Sequence, residues 1–489
     1  MPKQKRLLTK TAYGYGLVCD RFFWIYQNAR DQLPEPDETT QAIFDQGNLI
    51  GNLATSLYPD GIEIDWNTGH DAGIAQTNAA MAERKPLFEA GFQFGRTHAR
   101  ADILNPSRGG KWDLIEVKSS SQVKEVHLSD VAFQKRVYEG AGIPIDRCFL
   151  MHVNRNYVRK GELDVSNLLA LSDLTNHIKP LAAGVPAEIE RQLLVMSQTR
   201  PPEAIICSYC AGCTLYGQCW SFLPDRNVFS LNRAGKKAFE LIARNILAIK
   251  DIPEDYQLTQ KQSIQVDCEK TGRIHIEKQK IQSFLKQLKY PLHFLDFETF
   301  MTAVPPYDKL SPYEQVPFQY SLHVIPSPGE GPIHYSYLSD GGTDPRPQIL
   351  SSLKKQLGQT GSIIAYNASF EISVLGRCAS HFQEYEAWLE SMRPRIVDLY
   401  IPFRSFHYYH PDQNGSASLK AVLPVITDQS YAGLDIAEGQ VASLRFRDMA
   451  FGNLAEAKKE EIRKALEMYC HQDTAGMIEI VKALQLLCG

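Results

Sequence analysis

No stretch of this sequence approaches ~18 consecutive apolar residues, so no transmembrane helix is predicted and no membrane partner is expected. An excess of either charge is also missing: 52 basic residues stand against 56 acidic ones, a formal net charge of −4. Any nucleic-acid partner must then be held by local patches and not by a global field. Internal repeats and low-complexity tracts are absent, and the ordinary composition excludes collagen-like, coiled-coil and wholly disordered classes. The basic start, Met1 to Lys10, runs into a stretch broken by Asp20 and Arg21 and does not read as a leader, so a cytoplasmic protein is expected. Cysteine is sparse, with 10 in 489 residues, which is not the density of a disulfide framework.

What is present is core material, 44% hydrophobic residues in a chain long enough for two to four domains at ~150 residues each. Helical spacing runs through Tyr15, Cys19, Phe22, Phe23 and Tyr26, and again through Phe44, Leu49, Leu53 and Leu57. Phe88 to Leu104 and Trp112 to Ser119 read as two strands of a hairpin joined by Asn105-Pro106-Ser107-Arg108-Gly109-Gly110. A helix carrying Val131, Gln134, Val137 and Tyr138 and a buried strand at Cys148 to Val153 follow. Phe229 to Ile249 reads as helical, and polar, aromatic-free Gln257 to Lys280 places a domain junction between about Pro224 and Lys289. Beyond it, His293 to Phe297 and Ser362 to Tyr366 are apolar strands, and Leu454 to Leu487 reads as two consecutive helical stretches. The class is mixed α/β.

Within the hairpin, Asp102 lies near the end of the first strand and Glu116-Val117-Lys118 near the end of the second. Period-two alternation sets Glu116 and Lys118 on one face. Two carboxylates facing across a hairpin, with an ammonium beside them, suit phosphodiester hydrolysis: the acids hold a divalent cation and the lysine stabilises developing negative charge. Gln134 and Tyr138 stand at i and i+4 on one helix face. This set resembles the PD-(D/E)xK nucleases of the RecB type, including the iron-sulfur nucleases of CRISPR adaptation. The resemblance implies a restriction-endonuclease-like fold, metal ligands at Asp102 and Glu116, a catalytic lysine at Lys118, and support from Gln134 and Tyr138. It departs in one place. Members often carry a histidine ligand four residues after an early helical glycine, whereas Gly47-Asn48-Leu49-Ile50 leads here to Gly51, leaving Glu89 as a further oxygen donor.

Cys207, Cys210, Cys213 and Cys219 crowd one short segment, and this spacing admits structural zinc or iron-sulfur ligation. The nuclease resemblance implies a 4Fe-4S cluster, with Zn2+ as the alternative, held by one early cysteine, matched by Cys19, and three late ones. Cys210, Cys213 and Cys219 are slightly favoured over Cys207, Cys213 and Cys219. Cys148, Cys268, Cys378, Cys470 and Cys488 are left as ordinary thiols.

A second acidic set begins at Asp296-Phe-Glu298, two acids on one face of an apolar strand. Asn367-Ala-Ser-Phe370-Glu371 opens a capped helix after the strand at Ser362, and Tyr469 and Asp473 are i and i+4 near the C-terminus. In this order the pieces resemble the DnaQ-like DEDD exonucleases in their tyrosine variant, although that family usually has Asp where Glu371 stands. The resemblance implies a ribonuclease H-like fold, metal ligation by Asp296, Glu298, Glu371 and Asp473 with Mg2+ or Mn2+, a nucleophile-orienting Tyr469, and 3′ to 5′ polarity. Asp398 could support this site and Lys420, on a helix begun at Ser418, could stand near a phosphate, but each reads first as a capping or surface residue, and His471 as structural.

Together the resemblances imply three segments: a nuclease with its cluster over residues 1–225, a helical connector over 226–288, and an exonuclease over 289–489. The expected function is a dual-site, metal-dependent nuclease acting on nucleic acid, chiefly single-stranded DNA ends, in repair or in degradation of foreign DNA. The alternatives are a nucleic-acid-binding scaffold with degenerate sites, and an RNA-trimming exonuclease with only the C-terminal site active.

Overall fold

The structure, a computed structural model, describes residues 6–489, apart from the side chain of Ala211. The chain divides into two compact units, one running to Ser221 and including Thr302–Glu314, the other formed by Phe222–Met301 and Gln315–Gly489. The expected 226–288 connector is therefore part of the second unit, and residues 302–314, expected in the C-terminal segment, belong to the first.

The first unit carries a seven-stranded mixed sheet. Its elements are β1 (Leu8–Thr9), α1 (Lys10–Val18), α2 (Asp20–Asn28), α3 (Glu38–Ser56), β2 (Ile62–Glu63), α4 (His70–Ala80), β3 (Leu87–Phe94), β4 (Thr97–Pro106), β5 (Trp112–Lys118), α5 (Glu125–Gly140), β6 (Ile145–Val153), β7 (Leu169–Asp173) and α6 (Val185–Ser197). The strands lie in the order β2-β3-β4-β5-β6-β7, with β1 parallel to β4. Alternate residues feed cores on opposite faces. Leu104, Leu114 and Leu150 pack with Phe23, Phe133 and Tyr138, while Ile103, Ile115 and Phe149 pack with Ile50 and with Ala303 of the 302–314 segment. Burial on both faces explains why these strands read as continuous apolar runs.

Two sequence readings change here. Phe88 to Leu104 is not one strand: it folds back at Gly95, whose φ of +57° suits glycine, to give β3 and β4. The first helical stretch is likewise broken, because Cys19 is extended at φ −154° and ψ 114° between α1 and α2.

The second unit contains α7 (Gln260–Thr271), β8 (Leu292–Phe300), β9 (Val316–Ile325), β10 (Ile333–Leu338), α8 (Arg346–Gln356), β11 (Ser362–Ala365), α9 (Ser369–His381), β12 (Ile396–Asp398), α10 (Leu419–Ile426), α11 (Gly439–Phe451) and α12 (Glu456–Cys488). Its five-stranded sheet has the order β10-β9-β8-β11-β12, antiparallel on one side of β8 and parallel on the other. Leu295, Phe297, Tyr320 and Leu322 pack against α8 and α9 on one face. The opposite face, which carries Asp296, Glu298, Ser321 and His323, receives α12. The two closing helical stretches expected at Leu454 to Leu487 are one 33-residue helix; Gly476 does not break it, because its bare Cα lets Leu423 approach to within 3.0 Å of where a Cβ would stand. Phe229 to Ile249 holds a shorter helix than expected, Lys236–Ala243, ended by Asn245 at φ +59°. Among the described residues, no helix is long and apolar enough to cross a membrane.

Candidate active sites

In the first unit, the register Ile103↔Ile115 and Leu104↔Leu114 sets Asp102 and Glu116 on the face covered by α1 and α5. Glu116 is fully buried, and all of its hydrogen-bonding capacity is engaged. Lys10 at the start of α1 donates to Oε1 at 2.7 Å and Oε2 at 2.8 Å, the Gln134 amide donates to Oε2 at 2.6 Å, and Lys118 stands 2.7 Å from Oε1. Lys10 also lies 3.8 Å from Asp102, and Lys118 lies 3.4 Å from Asp130. Asp102 accepts the Val117 amide at 2.6 Å, which ties β4 to β5 beside the acids.

These ammoniums set the electrostatics. Burial opposes the charge of Glu116, but Lys10 and Lys118 outweigh it and hold the carboxyl down at about 2. Asp102 goes the other way, pushed up to about 7 by burial and by Glu116. Burial opposes the charge on Lys10 as well, but the facing acids raise its pKa.

Sequence reasoning missed Lys10 and Asp130. Lys10 is one basic residue of a basic N-terminal stretch, and only the pairing of β1 with β4 carries it to Glu116. Tyr138, expected at the site, serves the strands instead: its buried hydroxyl accepts the Ala101 amide at 2.8 Å and donates to the Ala90 carbonyl. Glu89 pairs with Arg100 at 3.6 Å and stands at φ +53°, while the register runs on unshifted from Phe88↔Ile103 to Ala90↔Ala101. It lines a cleft of about 480 Å³ together with Lys10, Asp102, His70 and His98.

All five flagged cysteines, Cys19, Cys207, Cys210, Cys213 and Cys219, line one cavity of about 330 Å³. The break between α1 and α2 is what presents Cys19 there. Backbone amides of Phe22, Cys207 and Leu215 donate to the sulfurs of Cys19, Cys210 and Cys213, each at 3.4 Å. The Cys207 and Cys210 sulfurs are 3.4 Å apart, and both late sets remain open.

In the second unit, donor oxygens of Asp296, Glu298 and Asp473 lie within 4.8 Å of one another. β8 supplies the first two and α12 the third. Burial, Asp473, Glu298 and Glu371 push Asp296 well above the carboxylate range; burial, Asp473 and Glu371 do the same for Glu298, against Lys420. Glu371 rises to about 8 through burial, and its Oε2 is buried without a hydrogen-bond partner. Asp473 rises to about 6 through burial, moderated by a hydrogen bond from Tyr431 and by Lys420.

Tyr469 packs beside Tyr431, and the Lys420 ammonium stands 5.2 Å from the Tyr469 ring centroid. Lys420, read as a surface or capping residue, thus belongs to this site, on a helix capped by Ser418. Cys470, read as an ordinary thiol, lies 3.7 Å from Asp296 Oδ2. Asp398 accepts the amides of Asn367 and Tyr400, both at 3.0 Å, which is the capping role expected of it. The capped helix expected after Asn367 has no side-chain cap bond.

Residues 293–418 match a family described as a domain of unknown function, DUF2779. The chain is 27% identical over 220 residues to the "Uncharacterized protein MG366 homolog" of Mycoplasma pneumoniae, covering 41% of this chain and 33% of that protein. It is 25% identical over 234 residues to the "Uncharacterized protein UU173" of Ureaplasma parvum, covering 43% of this chain and 33% of that protein. The matched stretch spans about a third of the length of these curated relatives. A solved structure titled "Crystal structure of SSO0001" aligns with 46% of this chain and 90% of its own at 12% identity, with a TM-score of 0.25.

Proposed function

We propose that this protein is a metal-dependent nuclease whose principal catalytic centre is the carboxylate site of the second unit. The observation that carries this reading is the convergence of Asp296, Glu298 and Asp473, within 4.8 Å, all three pushed upward by burial in spite of Lys420 beside Glu298 and Asp473. Buried like charges of this kind are stable as anions only with cations among them. The orphaned Oε2 of Glu371 adds a fourth donor, so the set fits Mg2+ or Mn2+, hard ions that take oxygen ligands. Such ions, when bound, lower the pKa of a coordinated water and offset the charge of a phosphodiester. Tyr469 would orient the nucleophile, and Lys420 would hold a substrate phosphate. The five-strand order around β8 is compatible with a ribonuclease H-like fold of the DnaQ type, with 3′ to 5′ exonucleolysis on single-stranded DNA.

The first unit supports a PD-(D/E)xK reading through Asp102, Glu116, Lys118 and Gln134. One observation favours a second reading, in which this unit binds nucleic acid without cutting it: both Glu116 oxygens are taken up by the lysines and Gln134. The cysteine cavity fits a 4Fe-4S cluster better than zinc. Tetrahedral zinc at Zn–S ~2.3 Å gathers its thiolates within roughly 4 Å of one another, whereas among the described residues no three cysteine sulfurs form such a group. Amide donors to the sulfurs are what a cluster uses.

Digestion of end-labelled single strands with Mg2+ or Mn2+ tests the assignment. Asp296→Asn should abolish 3′-end release, Lys118→Ala should remove any activity of the first unit, and the double variant should be inert. A double variant as fast as wild type overturns the proposal. Wild-type protein should be brown, and Cys213→Ser should bleach it.

A further inference from the structure

We infer that the second unit carries an additional metal site, made of His323, His334 and His471, that takes a borderline transition-metal ion such as Zn2+. Three separate elements, β9, β10 and α12, bring these imidazoles together, and their ligand nitrogens lie within 4.8 Å of one another. His323 and His334 are direct cross-strand partners, and their ring centroids are 4.3 Å apart; His471 stands 4.8 and 4.7 Å from the two.

The surrounding hydroxyls supply the second observation. Thr474 Oγ1 donates to the His471 carbonyl at 3.1 Å, so toward His323 Nδ1 at 2.8 Å and Ser321 Oγ at 2.7 Å it acts as acceptor. With its proton given to Thr474, Ser321 Oγ accepts from His334 Nε2 at 2.9 Å. This chain of donors assigns protons to His323 Nδ1 and His334 Nε2. Each ring then keeps a lone pair on its other nitrogen, the arrangement in which metal-binding histidines donate their remaining N–H to a fixed oxygen.

Nitrogen ligands set the class of ion. Imidazoles favour Zn2+, Cu2+ and Ni2+ over Mg2+ and Mn2+, so this site and the carboxylate site select different metals. Zinc at Zn–N ~2.0–2.1 Å brings its ligand nitrogens to roughly 3.4 Å apart. His334 and His471 are exposed, so closing that gap displaces no packed core, while buried His323 anchors the site. Three protein ligands leave a fourth position for water or a substrate atom. A bound ion would also tie β9 and β10 to α12, the helix that bears Tyr469 and Asp473. The inference does not depend on the nuclease reading.

The test loads the full-length protein with excess Cu2+ as a probe, removes weakly held ion by gel filtration, and reads imidazole nitrogen modulation by pulsed EPR. Wild type should show coordination by more than one imidazole, and Asp296→Asn/Glu298→Gln should retain it. His334→Gln/His471→Gln should lose the signal, together with one equivalent of Zn2+ in a parallel metal analysis. Both substitutions are at exposed positions, and circular dichroism checks the fold. Absence of imidazole coordination in wild type, or an unchanged signal in His334→Gln/His471→Gln, overturns the inference.

Discussion

The two carboxylate sites differ in who neutralises them. In the first unit, Asp102, Glu116 and Asp130 face the ammoniums of Lys10 and Lys118, and Glu116 is held down at about 2. In the second, Lys420 acts on Glu298 and Asp473 alone, and Asp296, Glu298, Glu371 and Asp473 are all pushed upward. A buried acid that has its own lysine needs no metal to be an anion; one that lacks it must take up either a proton or a cation. Similar residue types therefore give one site whose central acid, Glu116, is an anion held by lysines, with Asp102 raised beside it, and one whose acids must all take up a proton or a cation.

The largest expected effect is at the cation-demanding site. Asp473→Asn should reduce metal-dependent cleavage by at least ~100-fold, the scale of losing one preorganised electrostatic group. The pH dependence reports on the raised acids, chiefly Glu371 and Asp473, with Asp102 of the first unit at about 7 adding to it. Glu371 and Asp473 have folded-state pKa values of about 8 and about 6, above their ordinary values of 4.5 and 3.8. Their contribution to stability is thus complete below about 4 and is lost as pH rises through 6 and then 8. Calorimetry in chelator should show Tm falling across that window, by roughly 5 °C, with Mg2+ restoring it and Asp473→Asn flattening it. A Tm in chelator that is indifferent to pH between 4 and 8 would break the comparison.

Lys10→Met probes the site of the first unit. It strands buried Glu116 with one ammonium fewer, and should cost ~3 kcal/mol near neutral pH. Because Glu116 is depressed from 4.5 to about 2, its stabilising contribution is present above pH 4.5 and lost as pH falls toward 2. Variant and wild type should therefore converge in acid denaturation curves. The same change should raise Mn2+ affinity of the first unit, read by calorimetric titration in an Asp296→Asn/Asp473→Asn background. If affinity falls, Lys10 supports metal binding and does not compete with it.

The smallest effect contrasts two tyrosines. Tyr138→Phe deletes a hydroxyl that braces Ala90 and Ala101, and should lower stability by ~1 kcal/mol in urea titrations without changing cleavage. Tyr469→Phe should do the reverse, lowering the turnover number with little change in stability.

Much of both sites was legible because strand and helix periods are local. Alternation set Glu116 with Lys118 and Asp296 with Glu298, and i, i+4 spacing set Tyr469 with Asp473. Lys10 and Tyr431 were not legible, because each reaches its acids from a separate element whose docking no local pattern encodes, and Lys420 was visible only as a residue of a helix begun at Ser418. The split at Cys19 was hidden for a related reason: its apolar spacing is helical on both sides, and only the backbone conformation shows the break. The closing helix runs on through Gly476, where Leu423 packs against the bare Cα, a tertiary contact that no local pattern encodes.

The sequence by itself determined which residues are chemically able to act, since residue type and short-range periodicity survive without a fold. Tertiary structure alone decided which acids are neutralised, that five cysteines from two distant segments share one cavity, and that three histidines meet. Charge compensation and ligand convergence depend on distances between elements far apart in the chain, and those distances exist only once both faces of the sheets are buried.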